Sequence, residues 1–111
     1  MTANEYQAVA LRTANKALTN EELLLDGVLG LAGEAGECVD IMKKHLFQGH
    51  DLDKVHLMKE IGDCLWYAAV ASHALGYTLG EVMAANKAKL EARYPDGFCE
   101  FRSRNRRAGD V

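Results

Sequence analysis

Residues 34–63 read EAGECVDIMKKHLFQGHDLDKVHLMKEIGD. Two acidic pairs, Glu34/Glu37 and Glu60/Asp63, bracket the spacer from Cys38 to Lys59. On a helix, residues three apart share a face, one above the other. Two helices joined by a short turn within the spacer would therefore aim four carboxylates at one spot. Like charges so gathered repel unless a cation is shared among them, and carboxylate oxygens suit Mg²⁺, with Mn²⁺ as a substitute. The plainer reading is two unrelated acidic faces turned to solvent. Against it, both pairs border apolar stripes, Asp63 opens a nearly chargeless run, and the hydroxyl of Tyr67 follows one turn later.

Outward from this stretch the chain reads as helices. A first helix is expected over Asn4–Lys16, with Tyr6, Val9, Ala10 and Thr13 at helical spacing. Thr19-Asn20-Glu21-Glu22 has the form of a capping box. It opens a helix from Glu21 to Phe47, whose stripe is Leu24, Val28, Leu31, Ala35, Val39, Met42 and Leu46. Gly27, Gly30, Gly33 and Gly36 lie within it, each costing about 1 kcal/mol of helix stability relative to alanine. Close helix packing is the reading preferred for them. Gly49 is a helix stop, and Asp51 or Asp53 caps a third helix running to Leu75. That helix is apolar or small nearly all round after Cys64, the mark of a central element. Thr78 and Glu81 open a fourth helix, Leu79–Arg93, which Pro95-Asp96-Gly97 ends. Residues 99–111 form a basic tail expected to be irregular, with Arg102, Arg104, Arg106 and Arg107. The fold class is all-α: a four-helix bundle completed by oligomerisation, over residues 1–98.

Composition bounds the function classes. The chain has 111 residues, enough for one domain with a modest core, so self-association is expected. Hydrophobic residues make up 49% and charged residues 26%, ordinary values for a globular protein. A net charge of −3 does not fit a nucleic-acid partner. The longest uncharged run, Cys64–Gly80, is short for a membrane span, and no signal peptide is read at the N-terminus. Three cysteines, Cys38, Cys64 and Cys99, without a C-x-x-C, fit reduced thiols in a cytoplasmic setting. A di-iron carboxylate bundle would need E-x-x-H on two helices. None of His45, His50, His56 and His73 has a glutamate three residues before it.

Asn86, Lys89 and Arg93 share a face of the fourth helix and offer donors suited to phosphate oxygens. Acids for a metal and donors for phosphate together point to a polyphosphate substrate.

The motifs GLAGEAGE (30–37), KEIGDCLWY (59–67) and ANKAKLEARYPDGF (85–98) resemble the MazG-like nucleoside triphosphate pyrophosphohydrolases. The resemblance spans roughly Asn4 to Phe98. It implies an all-α fold assembled as a homodimer or a dimer of dimers. It also implies Mg²⁺ held by Glu34, Glu37, Glu60 and Asp63, the catalytic acids. The reaction implied is cleavage between the α- and β-phosphates of a nucleoside triphosphate, giving monophosphate and pyrophosphate. Asn86, Lys89 and Arg93 match positions that touch the triphosphate, and Tyr67 matches an aromatic position near the nucleoside. The arginine-rich tail lies outside the shared pattern. The reading is nucleotide-pool housekeeping, with Glu37 as the acid chosen for general base. The alternative is a non-catalytic nucleotide- or metal-binding helical bundle, acting as a sensor or interaction module. Trp66 is read as a core or interface residue rather than a base-stacking one.

Overall fold

The computed structural model describes all 111 residues. Five helices follow in order: α1 (Ala3–Leu11), α2 (Asn20–Phe47), α3 (Lys54–Ala74), α4 (Leu79–Arg93) and α5 (Glu100–Arg104). The protein is all-α, as expected. The short fifth helix lies within the segment expected to be irregular. No helix is long and apolar enough to cross a membrane. The chain forms two compact units, Met1–Leu79 and Gly80–Val111.

In the first unit, helix starts follow local side-chain chemistry. Thr19 Oγ1 accepts from the Glu22 N–H at 3.2 Å, and the Glu22 carboxylate accepts from the Thr19 N–H at 3.0 Å. This reciprocal box satisfies backbone donors that the first turn leaves free. Thr2 and Glu5 do the same for α1. Asp53 caps α3 by accepting from the His56 N–H at 2.9 Å. Between α2 and α3 the chain reverses at Gly49, whose φ of +73° is readily adopted by glycine.

α1 stops at Leu11, short of the expected Lys16. Side chains draw the backbone away from the helix there. Thr13 Oγ1 donates to the Ala10 carbonyl at 3.0 Å, and Asn15 Oδ1 accepts from the Ala17 N–H at 3.0 Å. Thr13 Oγ1 also receives the Trp66 indole N–H at 2.8 Å, which pins Trp66 over the core formed around Ala10, Ala69 and Leu79. The buried face of α1 includes Gln7, whereas Val9, expected inside, is exposed. Gln7 is fully matched: its amide donates to the carbonyls of Ala69 and Tyr77, and its oxygen accepts from the Leu79 N–H.

α3 packs on both α1 and α2. The α2 face turned to α3 is the one with the small residues. A Cβ placed at Gly27 would lie 2.9 Å from the Ala71 Cβ, and one at Gly30 would overlap the Tyr67 ring. Gly33 and Gly36 touch nothing within 4 Å of such a Cβ. Close packing therefore accounts for two of the four glycines. The bulky stripe expected to face the core mostly does not. Val28, Val39 and Leu46 are 52%, 65% and 62% exposed. On α3, Met58, Ile61 and Leu65 are exposed as well. Glycine permits a nearer approach than leucine or valine, so within one chain the small face meets α3.

In the second unit, α4 ends at Arg93 and the chain turns through Gly97, φ +88°. α5 follows, and Gly109, φ +85°, brings Asp110 to Arg93.

The two kinds of glycine make a direct test. Gly30→Ala forces the Tyr67 ring aside and should destabilise by about 1–3 kcal/mol, the usual range for overpacking. Gly33→Ala adds a methyl in open space and should gain up to about 1 kcal/mol of helix stability. Chemical denaturation of both variants checks the contrast; equal effects would refute the packing described.

Candidate active site

The glycine contacts set the register of the α2–α3 hairpin. Gly27 meets Ala71 and Gly30 meets Tyr67, so the two helices run antiparallel. One turn further, four residues on from Gly30 and four back from Tyr67, stand Glu34 and Asp63. Glu60 lies three residues before Asp63 on the same face. Carboxylate oxygens of Glu34, Glu60 and Asp63 lie within 4.8 Å of one another. Three hard oxygen donors from two rigid helices, with no nitrogen or sulfur among them, fit a divalent cation of the Mg²⁺ or Mn²⁺ type.

Electrostatics at the cluster follow from this crowding. The Glu34 carboxyl is pushed above the usual carboxylate range, first by its hydrogen bond with Glu60, then by partial burial, then by the charges of Asp63, Glu60 and Glu37. Glu60 is steadied from its own helix: His56 Nε2 lies 2.9 Å from Glu60 Oε1, one turn earlier. His56, four residues before Glu60, shares its helix face, and the geometry gives it the part of holding that carboxylate. Glu37 stands outside the triplet with an exposed side chain, yet its charge reaches Glu34.

Other nearby residues have settled partners. Tyr67 lies with its ring over Gly30 and edge-on to Trp66, centroids 4.9 Å apart. Lys43 and Lys44 both bind Asp40, at 3.3 and 2.8 Å. Cys38 and Cys64 are unoxidised and half-buried. Burial pushes the Cys38 thiol up, and Cys64 with the Glu60 and Glu34 charges adds to it, so Cys38 is a poor nucleophile.

The expected phosphate donors lie in the second unit. Asn86 borders a shallow groove with Met83, Leu90 and Tyr94. Lys89 and Arg93 line a different, half-open hollow of about 620 Å³, walled in part by residues of the tail. The Arg93 guanidinium is gripped at two points by Asp110: Nε donates to Oδ2 at 2.8 Å and Nη2 to Oδ1 at 2.6 Å. That fork holds the Asp110 carboxyl below its usual range.

The model of the MazG nucleotide pyrophosphohydrolase domain matches residues 19–98. The chain belongs to this family. The match takes in the whole α2–α3 hairpin and α4, and so every acid of the cluster. The Gene 37 protein of Mycobacterium phage L5 is 35% identical over 85 residues, covering 70% of this chain and 72% of that protein. No solved structure matches. Both α5 and Asp110 lie beyond the matched MazG span.

Crowding of the acids gives this MazG domain a testable pH dependence. A carboxyl with a raised folded-state pKa contributes stability that is present at low pH and lost as pH rises through that pKa. Glu34→Gln removes the ionisation. In chelator, the variant should therefore melt above the native protein at pH 7.5, and the gap should close near pH 4. A variant less stable than the native chain at pH 7.5 would contradict the clustering.

Proposed function

We propose that this MazG protein hydrolyses (deoxy)nucleoside triphosphates between the α- and β-phosphates in a Mg²⁺-dependent reaction, as nucleotide-pool housekeeping. The observation that carries the reading is the convergence of Glu34, Glu60 and Asp63 from two helices within 4.8 Å, inside the span matched to a pyrophosphohydrolase family. Those three would hold Mg²⁺, or Mn²⁺ in its place, with Glu37 alongside. Bound there, the cation supplies charge neutralisation at the phosphate and a more acidic water. His56 keeps the Glu60 carboxylate in place. Glu37, exposed and outside the triplet, is the acid assigned to take the proton of the attacking water. The water oxygen bonds to the α-phosphorus, the bond to the bridging oxygen breaks, and pyrophosphate leaves. Asn86, Lys89 and Arg93 are assigned to the triphosphate. Tyr67 is assigned to the nucleoside side.

Incubation with a panel of NTPs and dNTPs and Mg²⁺ tests this, with products identified. Monophosphate and pyrophosphate are expected; diphosphate with orthophosphate would overturn the mechanism, and metal binding without turnover would mark a sensor. Glu37→Gln should lower kcat by about 10²–10⁴-fold, the usual worth of a general base. Asp63→Asn should also nearly abolish turnover, whereas Lys89→Ala should mainly raise KM. Full activity in Asp63→Asn would remove the site assignment.

We also propose that a second copy covers the exposed apolar face of α2 and α3, giving a homodimer or a dimer of dimers. Val28, Leu31, Val39 and Leu46 on α2, with Met58, Ile61 and Leu65 on α3, are large apolar side chains left exposed at helical spacing, the kind of surface a second copy would cover. Light scattering at micromolar concentration should give a mass of at least two chains, and Val39→Lys should lower it. A native mass of 12.2 kDa would contradict the assembly.

A further inference from the structure

The residues after Phe98 lie outside the MazG match, yet they wall a half-open cavity of the second unit. Its walls carry Lys89 and Arg93 from α4, Arg102 from α5, and Arg106 and Arg107 from the segment that follows. Five cationic side chains thus share the cavity with one acidic side chain, Asp110. The Asp110 carboxylate meets Arg93 in the two-pronged geometry that guanidinium groups also offer to phosphate. The Arg93 side chain is only 9% exposed and that of Asp110 15%, and the fork occupies the Nε–Nη2 edge of the guanidinium. Asp110 is set by local turn chemistry: its N–H donates to the Arg107 carbonyl at 3.1 Å, next to the positive φ of Gly109.

We propose that Asp110 is an internal competitor for phosphate: the tail latches Arg93, and a polyphosphate chain displaces the carboxylate to reach it. The proposal rests on the reading of Arg93 as a phosphate-binding residue. It gives the tail a function: a carboxylate satisfies one positive charge, whereas a polyphosphate can satisfy several of the surrounding arginines as well. Opening the latch costs every anion alike, so it weakens binding by a common factor, and only a ligand that also reaches the surrounding arginines keeps appreciable occupancy.

Calorimetric titration of the full chain with inorganic tripolyphosphate, without metal, tests the latch apart from catalysis. Asp110→Asn keeps the shape of the side chain and should bind about tenfold tighter than the native protein, a change of about 1.4 kcal/mol. Asp110→Ala should do the same. Glu100→Gln removes an equal charge from α5 without touching Arg93, and should bind as the native chain does. Adding Arg93→Ala to Asp110→Asn should erase the gain. The proposal is overturned if both Asp110 variants bind no tighter than the native protein, if Glu100→Gln gains as much, or if no form binds tripolyphosphate. Tighter binding with no nucleotide hydrolysis in any form would keep the latch and remove the pyrophosphohydrolase reading. Hydrolysis with unchanged binding would do the reverse.

Discussion

Close approach of the α2 and α3 backbones is the constraint on which the candidate site depends. Gly27 against Ala71 and Gly30 against the Tyr67 ring leave no room for a side chain between the helices. That contact fixes register, and register alone decides which residues meet one turn later. A slip of one residue would rotate the acidic face by about 100°, since successive helical residues are 3.6 to a turn. With the observed register, Glu34 reaches Glu60 and Asp63, and three carboxylates share a small volume. The packing that stabilises the hairpin therefore imposes a repulsion at its middle. A divalent cation would relieve that repulsion, coupling ion binding to the stability of the hairpin.

Charge in this protein is compensated locally. His56 steadies Glu60, Lys43 and Lys44 meet at Asp40, and Asp110 holds Arg93. Each arrangement keeps a charged side chain in one orientation. The Arg93–Asp110 fork differs from the others because it brings together two residues 17 apart and is largely shielded from water. A surface ion pair is worth little; this one joins a family-span helix to a segment outside that span.

The positions of the longer helices, and the meeting of three of the four expected acids, were legible in the sequence because they rest on local rules; Glu37 stays outside the triplet. The Thr19–Glu22 box, the Asp53 cap and the Gly49 stop are short-range signals, and the i,i+3 acids need only a helix to align them. Val28, Val39 and Leu46 misled because periodicity identifies an apolar face without naming what it packs against. Within the chain, the glycine face is the one turned to α3. Gln7 was missed as a core residue since its three hydrogen-bond partners lie more than 60 residues away. The early end of α1 turns on the Thr13 and Asn15 side chains bonding to nearby backbone, which hydrophobic spacing does not register. The pairing of Asp110 with Arg93 was invisible for a related reason: a lone acid among arginines reads as part of a solvated tail until the fold brings the two together.

The hairpin serves as an ion site only if Glu34, Glu60 and Asp63 hold a divalent cation. Crystals grown or soaked with Mn²⁺, with diffraction recorded at the manganese absorption edge, test it most directly. An anomalous peak bounded by those three carboxylates is expected, and it should be absent in Glu60→Gln. Manganese bound elsewhere in the molecule, or an occupied site that survives Glu60→Gln unchanged, would contradict it.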